Sequence, residues 1–282
     1  MEIWHSRIDL EQQLKLISNK ALRRKLAMII GKARGEGLEK DDNFPRMIRG
    51  SELRIADKPP TIFHLEPSTH VAHKLDTDRV FAMYRDGLAT DRRHILDRHK
   101  IVDLAFKAVG VGSVGTYCYI ALLMTGDSEP LFLQLKQAQR SVLERLGGGI
   151  AYVGHQGQRV VEGQQMMQAA SDIFLGHTQD DETGRQFYVR TLKNHRLGGI
   201  SEISELEAFS DYARVCGRTL ARAHARSGDP ALIAGYMGKS ETMDDALASF
   251  AIAYAGQTAI DYAALVKAKS NRDKKKLKLV AA

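Results

Sequence analysis

Apolar side chains recur at helical spacing near the start of the chain. Between residues 10 and 29 they lie three or four positions apart, which predicts an amphipathic helix that ends before Gly37. Residues 38–76 show no regular periodicity, and the pair Pro59-Pro60 favours an extended segment because proline blocks helix formation. Two shorter helices are predicted near residues 76–84 and 91–98.

The pattern changes after residue 100, where β-branched and aromatic residues dominate. The stretches IVDLAFKAV, TYCYIALLM and PLFLQLK are separated by glycines or by TGDSEP, which predicts three consecutive antiparallel strands. A helix in GQRVVEGQQMMQAASDIFL and a strand in RQFYVRTL follow, and the pattern is helical from residue 204 onward. The predicted fold class is therefore α+β, with a small antiparallel sheet, helices beside it and a helical region.

This pattern divides the chain into four expected segments. Residues 1–100 are mostly helical, residues 101–200 carry the sheet and one helix, residues 201–268 are helical, and residues 269–282 form a basic, flexible tail. Most of the formal charge of +7 lies from residue 267 onward, so the rest of the chain is nearly neutral. A nucleic-acid-binding face is therefore not indicated, and we expect no nucleic-acid partner.

The composition points to a protein of the cytoplasm. Cys118 and Cys216 lie far apart and outside any C-x-x-C pair, which is typical of reduced thiols. The N-terminus lacks the apolar core of a secretory signal, and no apolar run is long enough to cross a bilayer. We therefore expect a soluble, cytoplasmic protein without a membrane partner.

A G-x-G-x-x-G pattern stands between the first two predicted strands, at Gly110, Gly112 and Gly115. Such a pattern occurs in dinucleotide-binding turns, in the phosphate lid of kinases and in plain hairpins. A dinucleotide-binding turn needs a helix after its third glycine, but TYCYI favours a strand. A kinase-type loop joins two antiparallel strands and is followed by a lysine on the third strand, which Lys136 supplies.

The chemistry of phosphate binding explains these residue types. Glycines allow backbone N–H groups to approach anionic oxygens, and a lysine on a neighbouring strand adds a positive charge. We assign nucleotide binding to the loop, including Ser113, to Lys136 and to Glu162, which could hold the lysine from the following helix; Glu144 is the alternative acid. A tight turn, a surface lysine and a solvated glutamate remain open as structural explanations.

Several long stretches resemble the bacterial domain-of-unknown-function family numbered 2252. They are VGVGSVGTYCYIALL, LFLQLKQAQRSVL, GQRVVEGQQMMQAASDIFLG, FYVRTLKN and LARAHARSGDPALIAGYMG. The resemblance covers essentially the whole chain and implies a relative of the protein-kinase and aminoglycoside-phosphotransferase fold. It also implies that the predicted sheet resembles a kinase N-lobe, with ATP and Mg²⁺ as the expected cofactors.

The resemblance also implies a circular permutation. Longer family members carry a GDxHxxNFG-like and an NDFDE-like segment upstream, similar to catalytic and metal-binding loops, and neither string occurs in these 282 residues. We therefore expect the chain to lack phosphoryl transfer unless an upstream-encoded segment or chain supplies these groups. Local candidates for catalysis are His224 and Asp229, although a structural role at a helix end suits Arg226 and Asp229 better.

The sequence departs from the family pattern at three positions. Gln137 follows the strand lysine where the family usually has an acid, and Thr191 and Asn194 stand where it tends to have Gln and Asp. Three hypotheses follow: a nucleotide-binding, kinase-like protein that is catalytically incomplete, a non-catalytic kinase-like scaffold or binding module, or a truncated gene product. No metal-ligating cluster is predicted in any of them.

Overall fold

The computed structural model describes residues 10–35, 44–50, 52–65, 75–108, 110, 115–146, 151–192 and 206–280. The chain forms two compact units, Met1–Ser227 and Gly228–Ala282. The helices of the first unit are α1 (Leu10–Lys15), α2 (Lys20–Gly35), α3 (Thr77–Asp86), α4 (Thr90–Leu96), α5 (Gln156–Met167) and α6 (Leu206–Ser227), with a 3-10 turn at Val142–Leu146. The second unit contains α7 (Pro230–Met237) and α8 (Thr242–Val280).

Among the described residues of the first unit, eight strands build two antiparallel sheets, so the α+β fold class is confirmed. They are β1 (Met47–Arg49), β2 (Leu53–Ile55), β3 (Ile62–Phe63), β4 (His99–Lys107), β5 (Cys118–Thr125), β6 (Pro130–Gln137), β7 (Gly176–Asp180) and β8 (Arg185–Thr191). Strands β1 and β2 form a hairpin, and the other six form one sheet in the order β3-β4-β5-β6-β8-β7. The three consecutive strands predicted around the glycine pattern are thus β4, β5 and β6.

Both faces of the six-stranded sheet carry apolar side chains. Leu133 and Phe187 lie on the face that packs against Tyr84 of α3. Ile120 and Phe132 lie on the opposite face, where Phe44, Ile55 and Ile62 cover them in part. Because β5 is buried on both faces, its sequence is continuously apolar rather than alternating.

The helix predicted between residues 10 and 37 is broken into α1 and α2. The side chain of Asn19 accepts a hydrogen bond from the backbone N–H of Leu22 at 2.8 Å, as a helix N-cap does. Asp211 of α6 accepts hydrogen bonds from the backbone N–H groups of Ser18 and Asn19, at 2.7 and 3.2 Å. These hydrogen bonds to Asn19 and Asp211 therefore interrupt the helix, although the helical spacing of apolar residues continues through the break.

The boundary between the two compact units lies after residue 227, within the region that the sequence pattern predicts to be helical. Helix α6 packs against α5 and lies in the same compact unit as the sheet. The segment predicted as a flexible tail is helical in the structure, because α8 continues to Val280. Among the helices that the structure describes, none combines the length and apolarity needed to cross a membrane.

A histidine between two carboxylates fastens the segment after β2 to the sheet. Nδ1 of His64 lies 2.8 Å from Oδ1 of Asp57, and its Nε2 lies 3.0 Å from Oδ2 of Asp103 in β4. Oδ2 of Asp103 also accepts a hydrogen bond from the backbone N–H of Ile55 at 2.6 Å. Burial opposes protonation of His64, but the hydrogen bonds and charges of both carboxylates outweigh it and raise its pKa.

The stabilising effect of His64 should depend on pH. A pKa raised by folding contributes stability below the ordinary histidine pKa of about 6.5, and this is lost as the pH rises through the folded-state pKa. We expect His64→Gln to cost more stability at about pH 6 than at about pH 9, measured by urea unfolding. His94→Gln, at an exposed site, is the control. A cost for His64→Gln that is equal at both pH values would contradict this expectation.

Candidate functional site

A row of side chains crosses one face of the six-stranded sheet near the glycine segment. Lys136 of β6 lies opposite Cys118 of β5 and Tyr188 of β8, and Tyr188 lies opposite His177 of β7. Residues paired across antiparallel strands project from the same face of a sheet. These four side chains therefore share one face, which we call the Lys136 face.

The next row of the Lys136 face holds an arginine in place. Arg190 of β8 is paired with Gln134 of β6, and its Nε and Nη2 donate to Oε1 of Gln134 at 3.2 and 3.1 Å. Nε2 of Gln134 in turn donates to Sγ of Cys118 at 3.4 Å. Because Gln134 and Cys118 are buried, this chain of hydrogen bonds fixes the guanidinium over the sheet.

Positive charge converges on this face. Burial raises the pKa of the Cys118 thiol to about 11, although the charges of Lys136, Lys107 and Arg190 act in the opposite direction. The Lys136 ammonium lies 5.8 Å from the centroid of the Tyr188 ring, within the range of a cation–π contact. In the described part of the chain, neither Lys136 nor Arg190 pairs with a carboxylate. The Lys136 face can therefore attract an anion, and its neutral thiol is not a nucleophile.

The glycine segment adjoins the end of this row. Gly115 has a φ of +81°, which favours glycine, and a Cβ at Gly110 or Gly115 would meet no atom within 4 Å. Two of the predicted loop residues, Gly112 and Ser113, lie outside the described residues. Strand β5 starts at Cys118, so Gly115 is followed by a strand. A dinucleotide-binding turn needs a helix at this point, whereas a kinase-type loop needs a strand.

Gln137 anchors the exit of the glycine segment. Its Oε1 accepts a hydrogen bond from the Tyr117 backbone N–H at 3.0 Å, and its own N–H donates to the Tyr117 carbonyl at 2.8 Å. A carboxylate at this position could accept the same hydrogen bond, so this departure from the family pattern retains the contact. Thr191, another departure, binds Asp172 through its N–H and its hydroxyl, at 2.5 and 2.8 Å, and Asn194 lies outside the described residues.

The structure does not pair Lys136 with either predicted acid. Glu162 lies on α5 and accepts hydrogen bonds from the Tyr152 hydroxyl at 3.3 Å and from Nε2 of Gln158 at 2.8 Å. Glu144 forms an ion pair with Arg140 at 3.3 Å. Strands β8 and β7 lie beyond Lys136 in the sheet, and α5 packs against those two strands rather than against β6. The acid therefore lies on a helix against the sheet, as predicted, but without contacting the lysine.

The two candidates for catalysis, His224 and Asp229, both lie at helix ends. His224 lies exposed in the last turn of α6. Asp229 is the N-cap of α7, where Oδ1 accepts hydrogen bonds from the N–H groups of Ala231 and Leu232, at 2.8 and 3.1 Å. No group of three or more His, Cys, Asp or Glu residues suited to a metal ion occurs among the described residues. The helix-end role predicted for Asp229 is confirmed.

Sequence reasoning missed Arg190 and Gln134. Alternation in RQFYVRT is a usable signal, because Phe187 and Val189 are buried on one face and Tyr188 and Arg190 project from the other. It shows that Arg190 and Tyr188 share a face, but it does not show which strand lies beside β8. The pairing of Arg190 with Gln134 depends on a register between distant strands that only the structure provides.

Comparison with known proteins gives a family but no activity. The family model described as "Uncharacterized protein conserved in bacteria (DUF2252)" matches residues 1–268. No curated protein and no solved structure matches the chain.

Proposed function

We propose that this chain, which belongs to the uncharacterised bacterial family DUF2252, binds the phosphate groups of a nucleotide on its Lys136 face. The observation that carries the proposal is the pair of cations, Lys136 and Arg190, on adjacent strands beside the glycine segment. Neither cation has a carboxylate partner in the described part of the chain. Two such charges on adjacent strands favour a multiply charged anion.

The order of the elements supports a kinase-like arrangement. Two antiparallel strands flank the glycine segment, the third strand carries Lys136 near its end, and a helix and two further strands follow. Protein kinases use this order to place a glycine-rich loop and a lysine on ATP phosphates. We therefore take ATP as the nucleotide to test, with Mg²⁺ bound mainly by the phosphate oxygens.

The two cations have different tasks in this proposal. The Lys136 ammonium is a compact charge on a flexible stem, so it can follow the position of a phosphate. The Arg190 guanidinium is held by Gln134, and it can present its remaining N–H donors in a fixed plane. Glu162 and Asp229 take no part in phosphate binding here, because a carboxylate repels a phosphate and neither acid is paired with Lys136.

A titration of the purified chain with ATP, with and without Mg²⁺, tests the proposal. We expect Lys136→Met and Arg190→Met each to weaken ATP binding about tenfold, since each removes a charge-assisted contact. Lys100→Met is the matched control. Lys100 is an exposed lysine near the start of β4, at the opposite end of that strand from the glycine segment. Thermal unfolding of each variant checks that the fold is retained.

Two results would contradict the proposal. If ATP binds no more tightly than adenosine, the phosphates are not recognised. If Lys100→Met weakens ATP binding as much as Lys136→Met, the effect is one of overall charge and not of the Lys136 face.

A further inference from the structure

A cleft of about 330 Å³ lies between the α3–α4 corner, helix α5 and the edge strand β7. Leu88, Val161 and Leu175 form apolar parts of its lining. A volume near the lower end of the range for ligand sites suits a small molecule. Helix α5 supplies one wall and the start of α4 supplies another. Neither Lys136 nor Arg190 lines the cleft, so it does not include the phosphate contacts proposed for the Lys136 face, although His177 belongs to both.

The cleft carries opposite charges on different walls. Arg92 lies on α4 and Glu162 lies on α5, and both line the cleft without forming an ion pair with each other. Nε of Arg92 forms an ion pair with the adjacent, exposed Asp91 at 2.8 Å, which leaves the terminal nitrogens of Arg92 as donors. The Glu162 carboxylate is oriented by Tyr152 and Gln158. A cation and an anion that line one cleft but do not neutralise each other favour a ligand with both charges.

The other polar groups of the cleft limit the ligand further. Asp172 also lines the cleft and adds negative charge, and its carboxylate, like that of Glu162, is oriented by hydrogen bonds from the protein. Burial lowers the pKa of His177, although the charge of Glu162 acts in the opposite direction, so its ring is neutral near pH 7. A neutral imidazole can both donate and accept a hydrogen bond.

We propose that this cleft binds a free α-amino acid with an aliphatic side chain. The ligand carboxylate contacts Arg92, the ammonium contacts Glu162, and the side chain covers the apolar lining near Val161. Each charged group of the ligand then gains a partner of opposite sign, and its apolar part leaves water. This site does not depend on the nucleotide proposal.

Ligand titrations followed by NMR test this inference. His177 lines the cleft, so its imidazole proton signals report on occupancy. We expect L-leucine and L-methionine to shift these signals saturably at millimolar concentrations. N-acetyl-L-leucine lacks the ammonium and L-leucinamide lacks the carboxylate, so each should bind about tenfold more weakly.

Variants locate the site independently of the ligand series. Arg92→Gln and Glu162→Gln should each weaken L-leucine binding about tenfold, because each removes one charged contact. Lys136→Met should leave L-leucine binding unchanged, and it separates this site from the Lys136 face. The inference is overturned if neither amino acid shifts the His177 signals, or if L-leucinamide binds as tightly as L-leucine. Equal binding to the wild type and to Arg92→Gln would also overturn it.

Discussion

Replacing Gly157 by alanine is expected to destabilise the first unit by about 3 kcal/mol. A Cβ at this position would lie 2.2 Å from the carbonyl oxygen and 2.7 Å from the carbonyl carbon of Phe187 in β8. Both are backbone atoms of β8, which is paired with a strand on each side, and the Phe187 side chain is fully buried. These atoms cannot move aside without disturbing the sheet. Helix α5 would have to lift away from β8, and packing near its N-terminus would be lost.

Gly163 provides the control for this substitution. It lies on the same helix, and a Cβ there would meet no atom within 4 Å. Gly163→Ala should therefore stabilise the protein by up to about 1 kcal/mol, because alanine loses less backbone entropy in a helix. Urea unfolding of both variants measures the contrast. Similar effects of the two substitutions would show that helix propensity, and not the close approach of α5 to β8, decides the outcome.

The central strands β5 and β6 were predictable from local pattern, whereas β7, at one edge of the sheet, was not. Strands β5 and β6 are rich in apolar, β-branched and aromatic residues, which favour strands over helices. Strand β7 has the sequence GHTQD, and its buried positions are Gly176, Thr178 and Asp180. Thr178 is buried because its hydroxyl donates to the Val80 carbonyl of α3 at 2.6 Å, a contact between distant parts of the chain. Hydrophobic periodicity carries no information of this kind.

The candidate site was also predictable only in part: the sequence pattern predicted the position of Lys136 but not its neighbours. The order of the strands placed Lys136 at the end of β6 next to the glycine segment, because local pattern determines consecutive antiparallel strands. The partner of Lys136 was not predictable, because β8 inserts between β6 and β7 in the sheet. This insertion puts Tyr188 beside Lys136 and leaves Glu162 to line the cleft against α4. The order of elements along the chain therefore identifies the lysine but not its surroundings.

Arg226 has a structural role, although it belongs to the same short motif as the two candidates for catalysis. It lies in the last turn of α6, within the string HARSGD that also contains His224 and Asp229. Its Nε donates to the Met166 carbonyl at 2.9 Å, and its Nη2 donates to the carbonyls of Gln165 and Gln168, at 3.2 and 3.3 Å. These carbonyls lie at the C-terminal end of α5, where helices favour a cation. The structural role predicted for Arg226 is confirmed.

Substituting methionine for Arg226 should cost about 2–3 kcal/mol of stability, because the carbonyls at the end of α5 lose the charged donor that the buried Arg226 side chain supplies. Methionine keeps much of the apolar stem, so the loss reports on the guanidinium and not on packing. Arg218→Met, at an exposed position of the same helix, removes the same charge and should change stability by less than about 0.5 kcal/mol. Urea unfolding of both variants provides the comparison. Equal costs would mean that α6 is held against α5 by apolar contacts alone, and that the hydrogen bonds of Arg226 are replaced by water without loss.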